Sequence, residues 1–407
     1  MINIAHTRYS VVKEAAKSLG YRITKDDDKD WDIIWYDSAV TTEKYSKLED
    51  FQRLNHYPGI YILARKNFLA INIMKMRKIY DKEFKFIPNT WLLPCDWNTL
   101  SDQFPKKKNR TYIVKPEASC QGKGIFLTKS LKSLKRDERY VVQTYISKPY
   151  LIDELKFDLR VYVLITNMNP LRAYIYKEGM ARFATEKYKS PKWSNLKNLF
   201  MHLTNYAINK SHEDYEKGET DNSGNKKFMT YVLDYIKKET ENQQVWERIK
   251  DLCIKTLIAV QPALAHSYKA ARPQNSEESL WFQILGFDIM LDNKLKPWLL
   301  EVNHSPSFTT DSELDFMLKY HLIRDTITLL NLSIDQKQFY KKRKQQETQD
   351  RLFGKNSKIS INSKYSRVKV DYDTPNDQNL GKYEYLEYAS KYGMMVGRQH
   401  DSCATRT

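Results

Sequence analysis

The residues best placed to do chemistry lie late in the chain, at Asp288 and in the tripeptide Glu301-Val302-Asn303. The apolar runs 281–291 and 298–302 flank a turn at 292–296 and are predicted to be two buried strands of one hairpin. Period-2 geometry puts Glu301 and Asn303 on one face, and the hairpin can bring Asp288 beside them. Three oxygen donors of this hard type suit Mg²⁺, which keeps waters and borrows further ligands from nucleotide phosphates. The alternative is two acids at sheet ends facing water. Glu301, however, is wrapped in Trp298, Leu299, Leu300 and Val302, and burying a carboxylate without a cation is costly. That favours the metal.

A second cluster is Lys115-Pro116 at the end of a predicted strand 112–115, followed by Ser119-Cys120-Gln121-Gly122-Lys123-Gly124. Glycines allow a tight loop whose backbone N–H groups cover phosphates, with Lys115 as a point charge on them. Neither common phosphate-loop pattern is matched, and taken alone the stretch fits an ordinary glycine hairpin better. In 156–163, KFDLRVYV, polar and apolar residues alternate strictly, so Lys156, Asp158, Arg160 and Tyr162 share one face and Phe157, Leu159, Val161 and Val163 the other. That charged face reads equally well as solvated. His202-Leu203-Thr204-Asn205 would ordinarily be a turn. The combination, two nucleotide-cradle signals with a late acid-x-amide pair, is what points to a nucleotide and metal site.

The elements that must position these groups are strands 112–115, 125–128, 140–143, 156–163 and 171–176, and the hairpin. Helices are expected at 9–21, 66–80, 246–260 and 314–330, and a strand at 32–36. The stretch 92–110, with two prolines and the lysine run 106–108, is the best linker candidate. The composition fits a packed globule: 407 residues, 41% hydrophobic, with only 12 Gly and 13 Pro. No apolar run reaches the roughly 18 residues a bilayer span needs, and the first ten residues lack a signal-peptide pattern, so a cytosolic location is expected. Four scattered cysteines support neither a disulfide framework nor a zinc site. The net charge of +17 calls for an anionic partner, with nucleic acid, anionic membrane and acidic protein all open. Residues 331–370 hold 11 Lys/Arg against 3 acids, nearly half the excess, and residues beyond 371 are expected to be disordered.

From about Phe51 to Phe308 the phrases FQRLNHYPG, IVKPEASCQGKGIF, VVQTYISKPYLIDELKFDLRVYVLIT, EGMARFAT, FMHLTNYAINK and LGFDIMLDNKLKPWLLEVNHSPSF occur in that order. In them the sequence resembles the tubulin tyrosine ligase-like family, and more narrowly its glutamate-adding, polyglutamylase branch. The resemblance implies an α+β ATP-grasp fold, in which two lobes hold ATP between their sheets. It divides the chain into a small N-terminal α/β domain (1–92), a central lobe (93–144), a C-terminal lobe with the metal and substrate site (145–330), a basic microtubule-binding segment (331–370) and a tail (371–407).

By the same resemblance, Lys115 is the phosphate lysine, and Gln121-Gly122 belong to a cover loop. Gln143, Thr144, Tyr145 and Ile146 form the edge that receives adenine. Lys156, Phe157 and Asp158 belong to the nucleotide site, Thr204 and Asn205 to an ATP-proximal motif, and Asp288, Glu301 and Asn303 to the Mg²⁺ site. Arg182 and Lys227 would hold the incoming amino acid, and Arg160 the transition state. Gln121 and His304 occupy positions that vary with the acceptor, here in a chain-elongating combination. Two departures are Ala207, where the family usually has serine, and Ile71, where an arginine is common.

The implied activity is ATP-dependent ligation of free L-glutamate, through an acylphosphate, onto glutamate side chains of tubulin C-terminal tails. A tubulin glycine ligase and a non-catalytic microtubule-binding protein are the alternatives. The implied setting is a monomer in the cytoplasm and cytoskeleton, at a cilium axoneme or basal body, bound to microtubules and to neither nucleic acid nor membrane.

Overall fold

The computed structural model describes residues 1–27, 30–106, 109–117, 122–216, 224–271, 279–353 and 380–387. They form a mixed α/β structure built on three sheets.

The first sheet is parallel, in the order β2-β1-β3-β4, from β1 (Ile2–His6), β2 (Ile23–Thr24), β3 (Ile33–Tyr36) and β4 (Arg53–Leu54). Helix Ser10–Ser18 crosses from β1 to β2 and buries Val11, Val12, Ala15 and Ala16. Sequence reading found the helix and β3 but not β1, whose five residues carry too little pattern to separate from a loop.

The second sheet is antiparallel, in the order β5-β8-β6-β7, from β5 (Thr90–Leu92), β6 (Tyr112–Pro116), β7 (Phe126–Thr128) and β8 (Tyr140–Thr144). Two expectations change here. β5 pairs with β8, so this sheet begins before residue 93. The 92–110 stretch is no open linker, because it carries helices Trp97–Ser101 and Gln103–Lys106. Leu100 joins Leu93, Tyr112, Val114 and Val142 in a small core, with Trp97 and Phe104 packed on it. The prolines and lysines masked that apolar spacing.

The third sheet holds the long strands. β9 (Leu151–Ile152) and β10 (Leu155–Met168) are followed by β11 (Leu171–Lys187), β12 (Lys226–Phe228), β13 (Gln283–Leu291), β14 (Pro297–Asn303) and β15 (Tyr383–Tyr385). The main order is β12-β11-β10-β13-β14, with β9 on β10 and β15 on β11, all antiparallel. Phe157, Leu159, Val161 and Val163 pack into one large core with Val232, Ile249, Leu252 and Leu257 from the helices beneath. On the opposite face the character changes along the strand. Tyr162 and Leu164 are covered by Leu314, Leu318 and Leu322 of helix Glu313–Leu329, whereas Lys156, Asp158 and Arg160 lie beyond that cover. One parity of β10 is thus apolar at one end and charged at the other.

Helix Ile334–Phe353 continues the chain. Four of its cations are spent within the molecule: Lys337 and Lys341 contact Asp30, Lys337 also Asp32, Arg343 meets Asp50 at 2.7 Å, and Lys344 meets Glu49. Residues 354–370 of that segment lie outside the described residues.

The expectation of a disordered tail fails at 380–387. Tyr383 is 1% exposed, stacks edge-on against Tyr176 and shares a 2.7 Å hydrogen bond with Thr326. The alternating Tyr383, Glu384 and Tyr385 form a strand whose charged neighbours disguised it in composition, and Glu384 accepts from Trp246 and Lys250. Tyr383→Ala is expected to cost about 3 kcal/mol, as large aromatic truncations in cores do. A loss of unfolding free energy in urea of under a quarter of that size would show that the strand only rests on the surface.

Candidate active site

Strand register assembles the site. β10 aligns Asp158 with Arg182 of β11 and Arg160 with Asp288 of β13, and β13 aligns Asp288 with Glu301 of β14. Paired residues point to the same side of a sheet, so five charged side chains from four strands share one face. A bulge in β14 leaves Leu300 as the extra residue between the Asp288–Glu301 and Ile289–Leu299 pairs. The freed Leu300 carbonyl accepts a hydrogen bond from Lys115 at 3.3 Å, which ties the third sheet to the second across the cleft.

This cleft spans about 640 Å³, part of it open to solvent. Lys115, Gln143, Thr144, Tyr145, Ile146, Lys156, Asp158, Arg182, Thr204, Asn205, Asp288 and Glu301 all line it. These come from segments up to 186 positions apart in sequence, yet each was singled out from sequence. Lys115 is held by the Gln143 amide oxygen at 2.8 Å, and the Gln143 amide nitrogen is itself spent on Thr90. Lys156 donates to the Tyr145 hydroxyl at 3.0 Å and to the His202 carbonyl at 2.6 Å. The Tyr145 hydroxyl in turn meets His202 Nδ1 at 3.0 Å, and His202 Nε2 faces the Asn195 carbonyl. Nε2 therefore carries the proton and Nδ1 accepts. Burial, then the Lys156 charge, push His202 down to about 4, so it stays neutral. The Thr144 hydroxyl oxygen is buried without a hydrogen-bond partner, as expected of a group that meets a ligand.

The charges form a ladder of alternating sign. Arg182 donates to both Asp158 oxygens and lies 2.9 Å from Asp288, which Arg160 also grips with two nitrogens. Burial alone would raise Asp288, but Arg160 and Arg182 outweigh it and hold this carboxyl well below the usual range. Glu301 moves the other way: burial, then the like charge of Asp288, push it up. Burial lowers Lys115 to about 8 and Lys156 to about 7, each partly opposed by a nearby carboxylate. Four cations thus face three carboxylates, an arrangement that favours an anionic guest.

Asn303 reaches Asp288 at 3.5 Å and Glu301 at 3.4 Å. Among the described residues no group of three or more His, Cys, Asp and Glu side chains is arranged for a metal; the donor set here is two carboxylates and an amide. Glu301 is the member whose charge is not neutralised by a contacting guanidinium, and its upward shift is the strain that a hard cation would relieve. The residues fit such an ion, with Asp288 shared between it and the arginines.

The structure does not gather every sequence candidate. Phe157 points into the core against Phe183. Lys227 pairs with Ala181 and lies over the Phe183 and Tyr231 rings, on the opposite face from Arg182. Lys226, one position earlier, is the residue aligned with Arg182, and it donates to buried Asp315, which also binds Lys319. Sequence reasoning missed this trio because only the short β12 register reveals the parity. Gln121 lies outside the described residues. Its neighbour Gly122, at φ +80°, comes so close to the next motif that a Cβ there would sit 2.7 Å from Ile208 and 3.4 Å from Asn205. His304 lines a separate recess, together with Trp35, Asp37 and Phe308.

A mixed α/β chain with a cation-rich cleft between two antiparallel sheets is the class these observations define. Residues 43–346 match the Tubulin-tyrosine ligase family, and the chain belongs to that family. It is 44% identical over 398 residues to a probable beta-tubulin polyglutamylase of Tetrahymena thermophila, covering 95% of this chain and 33% of that protein. It is 46% identical over 347 residues to the human tubulin polyglutamylase TTLL6 (85% and 39% covered) and 40% identical over 362 residues to human TTLL7 (87% and 41%). The chain spans less than half the length of these relatives.

Proposed function

We propose that this chain is an ATP-dependent ligase of the ATP-grasp type that joins free glutamate to glutamate carboxylates on tubulin tails. The observation that carries the reading is the cleft itself: lysines from both sheets, the unpartnered Thr144 hydroxyl and the carboxylates of Asp288 and Glu301 all line one volume. Ile113, Ile125, Ile146 and Met290 give that volume apolar walls suited to a purine. Lys115 and Lys156 would offset the phosphates, and Mg²⁺ at Asp288, Glu301 and Asn303 would supply further positive charge for phosphoryl transfer.

The chemistry follows from the substrates. A carboxylate is a poor electrophile, so its oxygen first takes the γ-phosphoryl group, giving an acylphosphate and ADP. The glutamate amine then attacks the carbonyl carbon, forming an amide and releasing phosphate and a proton. Arg160 and Arg182 would hold the carboxylates that must approach one another; at 4 Å an opposite charge is worth about 4 kcal/mol at an effective dielectric of 20. Lys226, beside Arg182, is better placed than Lys227 to complete the amino-acid subsite. The helix Ile334–Phe353 would brace the chain against acidic tubulin with the cations left after its internal pairs. Hydroxylamine tests the intermediate directly, because it traps an acylphosphate as a hydroxamate. Acceptor hydroxamate should form with ATP and without glutamate; its absence, with ligation intact, would contradict this route.

The lysine shifts set a pH dependence. In the free protein Lys115 loses its charge above about 8, and kcat/KM reports free-enzyme ionisations. Lys156, at about 7, loses its charge first, so kcat/KM for ATP should begin to fall above pH 7 and fall more steeply, by up to roughly a further tenfold per pH unit, above 8. Lys115→Arg, permanently charged, should flatten that limb even where its absolute rate is lower. An unchanged alkaline limb in the arginine variant would assign it to another group.

A further inference from the structure

The loop 188–198 joins β11 to the short helix Leu199–His202. On it Trp193 stands 67% exposed, whereas the chain's other tryptophans are buried or half-buried. Lys189, Lys192 and Lys197 are exposed on the same loop and form no ion pair among the described residues. The basic helix Ile334–Phe353 is the contrast, since four of its cations are spent on carboxylates of this molecule. The loop keeps its three for a guest from outside.

Hydrogen bonds fix the backbone that presents the indole. The Asn195 side chain accepts the Lys192 N–H at 2.8 Å and donates to the Ser190 carbonyl at 3.1 Å, and the Asn195 N–H meets the Lys192 carbonyl at 3.0 Å. These bonds close the turn on which Trp193 sits. Inward, Leu196 packs with Leu127 and Tyr145, and the Tyr188 hydroxyl donates to the Ser147 carbonyl at 2.9 Å. The Asn195 carbonyl faces His202 Nε2 at 3.2 Å, and His202 meets Tyr145, which lines the cleft. The loop therefore borders the cleft on its Tyr145 side. An indole held out on such a support gains nothing where it stands, yet on a partner it can bury about 200 Å² at little cost in side-chain entropy.

We propose that Trp193, with Lys189, Lys192 and Lys197, forms a docking surface for an acidic face of the protein substrate; this rests on the ligase reading above. Charge and composition decide the occupant. Three lysines without internal partners call for anions, and one aromatic anchor ringed by charge is the pattern of a protein interface, where the anchor fills a pocket on the partner. A bilayer would ask for a row of apolar side chains on one surface, whereas the other exposed large hydrophobics, such as Tyr61, Ile79, Met317 and Leu352, lie on separate helices. A nucleic-acid strand would ask for successive aromatic platforms. On an acidic protein the lysines raise the rate of encounter and Trp193 slows departure.

The test measures binding of the full chain, without ATP, to three probes: microtubules by cosedimentation, vesicles of anionic phospholipid by flotation, and a single-stranded oligonucleotide by fluorescence anisotropy. Trp193→Ala should weaken microtubule binding roughly tenfold, as loss of an aromatic anchor does, and leave binding to vesicles and oligonucleotide unchanged. The triple variant Lys189→Glu, Lys192→Glu, Lys197→Glu should lose roughly tenfold at 0.1 M salt, and that loss should shrink toward 1 M, where the Debye length is about 3 Å. Unchanged microtubule affinity in either variant, with a wild-type melting curve, overturns the surface, as does a wild-type chain that fails to cosediment. A loss confined to vesicles or to the oligonucleotide overturns it as well and assigns the loop to a membrane or a nucleic acid. If both variants lose microtubule binding as expected while the wild-type chain transfers no glutamate to tubulin, the ligase reading fails and the docking surface stands.

Discussion

Glu301→Gln is expected to lower glutamate ligation by roughly 10²- to 10³-fold, the scale on which active-site charge stabilisation acts, with no loss of stability. The two halves have one cause. Glu301 sits on the active face opposite Asp288, and burial pushes its carboxyl up. The ionised form is therefore disfavoured in the folded chain, and a neutral amide of nearly equal volume relieves that cost. For a carboxyl raised on folding, stability is highest at low pH and declines as pH rises through the unfolded value toward the folded one. The variant should lose that decline and unfold at neutral pH no earlier than the wild type. What it gives up is charge for the metal. Activity within tenfold of wild type at saturating Mg²⁺, with an unchanged melting curve, would remove Glu301 from the metal site.

Arg182→Ala is expected to do the opposite, damaging stability first. Arg182 is the central rung of the ladder, in contact with Asp158 and Asp288, and Asp288 is 2% exposed. Removing one partner of a buried ion pair leaves uncompensated charge and costs about 3–5 kcal/mol. The sign with pH is fixed. Asp288 is held low by its two arginines, so its contribution to the wild type is present at neutral pH and is lost as pH falls through the folded value. Without Arg182 the buried carboxylates rise, and protonating them becomes favourable to the folded state. The stability gap between variant and wild type should therefore narrow from pH 7 to pH 4. Where the protein is folded, the KM for glutamate should rise far more than the KM for ATP. A gap independent of pH would show that Arg182 acts through packing, and an effect on ATP alone would place it in the nucleotide subsite.

The long strands were legible because their alternation is strict. In KFDLRVYV the parity separated Asp158 and Arg160 from the core residues before any partner strand was known, and the hairpin of β13 and β14 followed from two apolar runs around a polar turn. Contacts between distant segments were not legible. The bulge that turns the Leu300 carbonyl toward Lys115, and the parity that favours Lys226 over Lys227, depend on register. Short segments failed for a related reason. The 92–110 helices and β15 are held by burial against partners outside their own segments, while each is too short, at three to five residues, to show a period of its own.

The central claim is the identity of the donor and its dependence on ATP. The most direct measurement incubates the chain with microtubules, ATP and Mg²⁺, supplying radiolabelled glutamate, glycine or tyrosine in parallel, and quantifies label on tubulin together with ADP released. The expected result is incorporation of glutamate alone, one ADP for each residue added, with none when ATP is omitted. Incorporation of glycine or tyrosine in its place, or label appearing without ATP, would contradict the account.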